Sequence, residues 1–258
     1  MFIINFNPDS IRKLIEEMQE EIEKYNKLNY EQFNDEFKVK IDKSKLAGKN
    51  GWCISKYFNS LEIDELLNDI KINERKGIKY FFYDEESIID LINEIEEKYS
   101  KIINLKLYFN KFIKKYKIKD YFSAAFFISA ILENRIKTAF KTDTRKKMTN
   151  IIKIAIEEKK KSLFKEMKHN EEYSLNLDVY VEYIPSFYEY ISRTYIEDAN
   201  TNIDKIENEP SYFNRNWLMH GRRTKPVKKY EVLQLLNALN SVECIIDVLD
   251  NYNLSYNE

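Results

Sequence analysis

The sequence predicts an all-α protein, a helical bundle with an N-terminal helical region, and two observations carry that prediction. Glycine and proline number only 4 each in 258 residues, against average usage of roughly 7% and 5%, which starves the chain of the turns an all-β fold needs. Apolar residues recur at three- and four-residue spacing through most of the chain. The 19 Tyr and 16 Phe pull toward strand, but tertiary packing accommodates such residues in helices. This length suits one large or two modest domains. A division near residue 110 separates a helical region over 1–110 from a helical bundle over 111–258.

Taken in order, Pro8-Asp9-Ser10 opens an amphipathic helix marked by Ile11, Leu14, Ile15, Met18, Ile22 and Tyr25, with Asp9 or Ser10 placed to cap it. Residues 28–51 lose the period and end in Ala47-Gly48-Lys49-Asn50-Gly51, which reads as a loop. Shorter helices follow around Trp52 to Phe58 and Ile63 to Ile70. The run from Ile78 to Tyr83 reads as a strand or as the approach to the next helix. Asp84-Glu85-Glu86-Ser87 supplies a cap and dipole-friendly acids for a helix reaching about Tyr99.

Tyr121 to Phe140 is the most apolar helix. Phe122, Ala125, Phe126, Ser129, Leu132, Ile136 and Ala139 share one face, and Ala124, Phe127, Ile128 and Ile131 widen it, so burial on most sides is expected. Glu133 and Arg135 either lie on its exposed edge or require a partner. Thr144 to Met167 is lysine-rich and amphipathic, with Lys159-Lys160-Lys161 a solvated face in the simplest reading. Residues 174–184 alternate enough for a strand to intrude before Pro185 starts another helix through Tyr195. Pro210 suits the first turn of a helix through Tyr212 to His220, which Gly221 would end. From near Pro226, Val232, Leu235, Leu236, Leu239, Val242, Ile245, Ile246 and Leu249 mark a long final helix.

Lys plus Arg (42) nearly balances Asp plus Glu (43), giving a net charge of -1. The chain therefore lacks the overall basicity of a protein that coats nucleic acid, and any such site must be local. Cys53 and Cys244 cannot form a disulfide framework or a metal cluster, and read as small buried apolar groups of a protein in a reducing compartment. The start, Met1-Phe2-Ile3-Ile4-Asn5-Phe6, has no basic region and no apolar run of signal length, and no stretch is long enough to span a bilayer. A cytoplasmic protein with no membrane partner is the expectation.

One local bias stands out. From Arg215 to Lys229 the chain holds Arg215, Arg222, Arg223, Lys225, Lys228 and Lys229 and no acidic residue, a cluster able to neutralise phosphates. Within it, Asn216 and His220 lie four apart, on one face of a helix, and the long side chain of Arg215 can swing toward the same pocket. That set suits RNA cleavage by the neighbouring 2′-hydroxyl. A histidine takes or gives the proton, and an arginine stabilises charge on the phosphoryl oxygens. Neither a metal nor a cofactor is needed. The products would be a 2′,3′-cyclic phosphate and a 5′-hydroxyl, and the second proton transfer needs another group, such as a second subunit's His220. A structural role competes: His220 could simply end its helix, where a cation is favourable. Trp217, Leu218 and Met219 read as core or dimer contacts, although Trp217 could stack on a base.

Arg215-Asn216-Trp217-Leu218-Met219-His220, with Gly221 after it, resembles the motif of the HEPN family, an Arg followed by a polar residue with four to six residues before a His. The trailing glycine is similar to abortive-infection and prophage-encoded members. The resemblance covers roughly residues 115–255 and implies a helical bundle with the motif late in the domain beside a long apolar helix, the role of residues 226–250. It implies that Glu133, on an earlier bundle helix, takes an accessory acidic position. It further implies a homodimer whose motif helices face one another around RNA, a toxin or phage-defence role, and in some members an antitoxin or regulatory protein as partner. Other members bind RNA or protein without cutting, so noncatalytic binding stays open.

Overall fold

A computed structural model describes residues 38–55, 60–70, 74–82, 84–140, 182–196 and 209–255. The helix expected from Asp9 to Tyr25, the lysine-rich segment Thr144 to Met167 and the alternating stretch up to residue 181 lie outside these residues. The chain divides into two compact units, Met1–Lys40 and Ile41–Glu258. Residues 38–40 of the first are helical. Residue 110 falls inside a continuous helix of the second.

The second unit is all-α among the described residues. In order it contains α1 (residues 41–49), α2 (Ser60–Ile70), a 3-10 turn Glu74–Gly77 leading into α3 (Ile78–Phe81), and α4 (Glu85–Tyr99). These are followed by α5 (Ile103–Lys117), α6 (Tyr121–Phe140), α7 (Ile184–Ile191) with a π-helical continuation Ser192–Ile196, α8 (Arg215–Met219) and α9 (Lys229–Ser255). Helix α6 packs against both α5 and α9, and these three form the centre of the bundle.

Local chemistry accounts for several boundaries. Asp84 caps α4 as expected, accepting hydrogen bonds from the Ser87 amide and hydroxyl, both at 2.8 Å. Helix α5 places Leu105, Phe109, Phe112 and Tyr116 on its buried face, a spacing of four, three and four residues. It ends in Lys119 at φ 61°, whose amide donates to the Tyr116 carbonyl. A residue with a Cβ is strained there. Asp120 then caps α6, accepting from the Ser123 amide at 3.1 Å and from Lys115 Nζ at 2.9 Å.

Three expectations are corrected and one open alternative is decided. Residues 38–49 are helical rather than loop, and Gly48 is a packing residue: a Cβ there would collide with the Ser186 carbonyl oxygen on α7. Trp52 to Ser55 is not helical, since side chains of other helices bind its backbone. Asn237 accepts from the Cys53 amide and donates to the Cys53 carbonyl, Ser186 accepts from the Ile54 amide, and Ser241 donates to the Ile54 carbonyl. Of the two readings open for the run from Ile78, strand or approach to the next helix, Ile78 to Phe81 takes the second as a single helical turn. Finally, Phe122 and Phe126 are 48% and 41% exposed. Helix α6 meets its neighbours through Ala124, Ala125, Ile128, Leu132 and Ile136 instead.

Arg135 is buried rather than at an exposed edge. Its guanidinium donates to both oxygens of Glu243 on α9 through Nε and Nη2, and the same carboxylate accepts from the Tyr99 hydroxyl at 2.7 Å and pairs with Lys98 at 2.9 Å. Helices α4, α6 and α9 thus share one buried carboxylate. Burial pushes the Glu243 carboxyl up, but the hydrogen bonds from Arg135 and Tyr99 outweigh it and hold the group below the ordinary glutamate range. Removing one member leaves its partner's charge buried and uncompensated. Glu243→Gln should therefore cost about 3–5 kcal/mol at neutral pH, measured by denaturant unfolding. Because the folded carboxyl titrates low, this stability is complete above about pH 4.3 and fades as the pH falls through the lower folded value. The gap between wild type and variant should narrow in that window. Lys119→Gly should raise stability by up to about 1 kcal/mol by relieving the left-handed strain, read as a higher midpoint in the same assay.

Candidate functional site

The motif occupies a short, doubly anchored turn. Asn214 is extended (φ -128°, ψ 123°) and its side chain accepts from the Asn216 and Trp217 amides at 2.9 and 3.2 Å, so α8 starts at Arg215. The longer helix expected from Pro210 is thereby cut to Arg215–Met219. At the other end Gly221 takes φ 66°. Its amide donates to the Leu218 carbonyl at 3.2 Å, and the Arg222 amide donates to the Trp217 carbonyl at 2.9 Å, the paired bonds of a Schellman closure. Gly221 ends the helix as the sequence suggested, and His220 is its C-cap residue.

Trp217 and Leu218 are buried beneath this turn. Asn214 Nδ2 and Trp217 Nε1 are buried donors with no acceptor among the described residues. The outer side chains diverge. The Arg215 guanidinium turns to α6, where it pairs with Glu133, and its Nη1 donates to Asn216 Oδ1 at 3.3 Å. Glu133 also pairs with Lys137 at 3.2 Å, one turn along α6. His220 is exposed, and its imidazole makes no hydrogen bond among the described residues. The structure thus brings Arg215, Asn216 and Glu133 together, with His220 at the far end of the same turn.

In the basic stretch that follows, two of five cations, Arg223 and Lys229, are matched by carboxylates. The Arg223 side chain is only 5% exposed, bridging both oxygens of Glu231 at 2.8 and 2.9 Å with its guanidinium over the Phe213 ring. That position serves the fold and is out of reach of a surface phosphate. Lys225 donates from Nζ to the Glu209 and Pro210 carbonyls at 3.1 and 3.3 Å. Lys229 pairs with Glu85 of α4 at 2.7 Å. Arg222 and Lys228 form no ion pair among the described residues, and Lys228 is exposed. Glu209 pins the loop after the motif by accepting from the Thr224 hydroxyl and the Thr224 and Lys225 amides. Burial raises its pKa, yet these bonds overcome the penalty and hold the carboxyl below its ordinary range.

Two clefts among the described residues lie away from the motif, one between α3, α4 and α9 and one between α5 and α6. No group of three or more metal-ligating side chains occurs among the described residues, and none of their helices is long and apolar enough to cross a membrane. Cys53 and Cys244 are buried and form no disulfide among the described residues.

No family model, curated protein or solved structure matches this chain.

Glu209, Glu231 and Glu85 were not singled out in the sequence. One signal was there: Glu231 stands three residues after Lys228 and accepts from its amide at 2.8 Å, the reciprocal half of a capping box. The two anchors of the turn should be separable. Asn214→Ala should lose about 1 kcal/mol of cap stabilisation. Gly221→Ala meets no atom within 4 Å, so its loss of roughly 1–2 kcal/mol would be conformational rather than steric. Denaturant unfolding of the two variants measures both, and Gly221→Asn, which tolerates the left-handed region better, should recover part of the second loss.

Proposed function

We propose that this chain is a metal-independent endoribonuclease of toxin or phage-defence type, with Arg215, Asn216 and His220 at the reacting centre and Glu133 as accessory. The observation that carries the reading is a turn fixed at both ends that starts at Arg215, held by Glu133, and finishes at an exposed imidazole. In the first step the ribose 2′-hydroxyl gives up its proton, O2′ attacks the adjacent phosphorus and the bond to O5′ breaks. The leaving oxygen takes up a proton, leaving a 2′,3′-cyclic phosphate and a 5′-hydroxyl. His220 carries one of these proton transfers. Arg215 meets the charge on the phosphoryl oxygens, and Asn216 offers an amide to the same group. The other transfer falls to the His220 of a second copy in a homodimer. Arg222 and Lys228, which have no ion pair among the described residues, are the cations best placed to follow the RNA backbone. A cytoplasmic location and control by an antitoxin or regulatory protein belong to the same proposal.

A noncatalytic RNA- or protein-binding role is the second reading. The partly neutralised stretch favours it: Arg215, Arg223 and Lys229 each already face a carboxylate, so fewer cations are available to phosphate than the sequence implies.

Incubation with RNA in EDTA separates the two. The nuclease reading expects cyclic-phosphate ends from the wild type and a loss of at least a hundredfold in His220→Ala and in Arg215→Ala. Cleavage unchanged in His220→Ala would remove that residue from the mechanism. Salt-sensitive binding with RNA recovered intact would favour the second reading.

A further inference from the structure

Ten large apolar side chains are exposed among the described residues, and seven of them fall between Ile102 and Phe126, in and around α5 and the start of α6. Exposed apolar groups scattered singly need no explanation, but a cluster marks a surface that meets something. Ile103 and Leu107 stand one turn apart on the outer face of α5, opposite the buried stripe that begins at Leu105 and Phe109. Ile103 is 83% exposed, and Ile118 at the end of the helix is 63% exposed. Ring contacts carry the surface onto α6. Tyr108 meets Phe127 edge-on at 6.0 Å, and Phe127 meets the exposed Phe126 at 5.8 Å. Phe122, also exposed, lies one turn before Phe126.

Positive charge is concentrated on the same surface. From Ser100 to Lys119 the chain holds seven lysines and no acidic residue, against a net charge of -1 for the whole. Lys106, Lys111, Lys114 and Lys117 are exposed along α5. Lys111 Nζ lies 5.7 and 5.6 Å from the ring centres of Tyr108 and Phe127, so cations and rings are interleaved. Aliphatic tips, aromatic rings and lysines together complement an anionic lipid surface. Headgroups take the ammonium groups, the rings sit at the interface, and the aliphatic tips reach the acyl boundary while the lysine stems snorkel. A nucleic acid would use the lysines and rings but has nothing to offer Ile103, Leu107 and Ile118. A partner helix seeks a groove, whereas Ile103 and Leu107 stand on the outward ridge of α5. We infer that α5 and the first turns of α6 dock the protein peripherally on an anionic membrane surface. Lying on a bilayer needs one exposed face and no spanning helix, so the inference amends the expectation of no membrane partner. It stands apart from the nuclease reading, since none of its residues belongs to the motif.

Co-sedimentation of the full chain with vesicles tests it, using phosphatidylcholine alone and phosphatidylcholine mixed with phosphatidylglycerol. The protein should pellet with the mixed vesicles and stay in solution with pure phosphatidylcholine. Lys111→Gln combined with Lys114→Gln should weaken binding by about tenfold or more. Leu107→Ser combined with Phe126→Ser should do the same without moving the melting midpoint, since both side chains are exposed. In Leu107→Trp the added indole should shift its emission to the blue on mixed vesicles, as it leaves water. No pelleting with mixed vesicles, equal pelleting with pure phosphatidylcholine, or undiminished binding in either double variant would each overturn the inference. An unshifted Leu107→Trp would overturn it too, by leaving the attraction of charges alone. Failure with vesicles, joined to binding of a uridine oligonucleotide that the lysine variant loses, would assign the face to nucleic acid instead. The same failure, joined to a dimer that dissociates in Leu107→Ser with Phe126→Ser, would assign it to a second copy of the chain.

Discussion

From Glu231 to Ile246 every residue of α9 is buried, yet this stretch carries Glu231, Gln234, Asn237, Asn240, Ser241 and Glu243. A polar group withdrawn from water without a partner costs several kcal/mol, so the rest of the unit is arranged around supplying partners to this one helix. Asn237 and Ser241 take the backbone of residues 53–54, which is why that segment forgoes helical hydrogen bonds of its own. Glu243 gathers Arg135, Tyr99 and Lys98, fixing α6 and α4 against it. Glu231 draws in Arg223, which ties the loop after the motif to the start of the same helix. Packing alone would let an apolar helix slide or rotate, whereas these matched pairs admit one register.

The motif inherits its position from that arrangement. Arg215 reaches α6 through Glu133, and α6 is fixed to α9 two residues further on by Arg135. The turn itself is short, but the Asn214 cap and the Gly221 closure determine both ends. Thr224 and Lys225 are then clamped by Glu209. His220 is therefore presented on a pinned turn rather than a free loop, although its own side chain is open to solvent.

How much of this was legible in the sequence follows from the range of the interactions involved. Features decided within one turn of helix were readable: the Asp84 cap, the Gly221 stop, and the apolar face of α9. Helix α5 was overlooked although Leu105, Phe109, Phe112 and Tyr116 carry its period, because Ile103, Leu107, Tyr108 and Ile118 blur the amphipathic contrast by remaining exposed. Gly48 looked like punctuation because nothing nearby in the chain announces the Ser186 carbonyl it must pass. At the site, the spacing from Arg215 to His220 was plain. The partial neutralisation of the basic stretch was hidden, because Glu133 and Glu85 arrive from helices 82 and 144 residues away. A one-dimensional run of cations says little about surface potential until its counter-charges are placed.

The pairings between residues 53–55 and α9 span 184 to 187 positions of chain. During synthesis the earlier segment leaves the ribosome long before the asparagines and serine that satisfy it exist. Until then its amides and carbonyls must remain with water, and Trp52, Cys53 and Ile54 cannot be sealed. Contacts so distant along the chain are slow to form and expose apolar surface in the interval. Helix α9 thus closes the fold of this unit, and a chain stopped before residue 231 would be a different physical object from a slightly shortened protein: one with its centre missing.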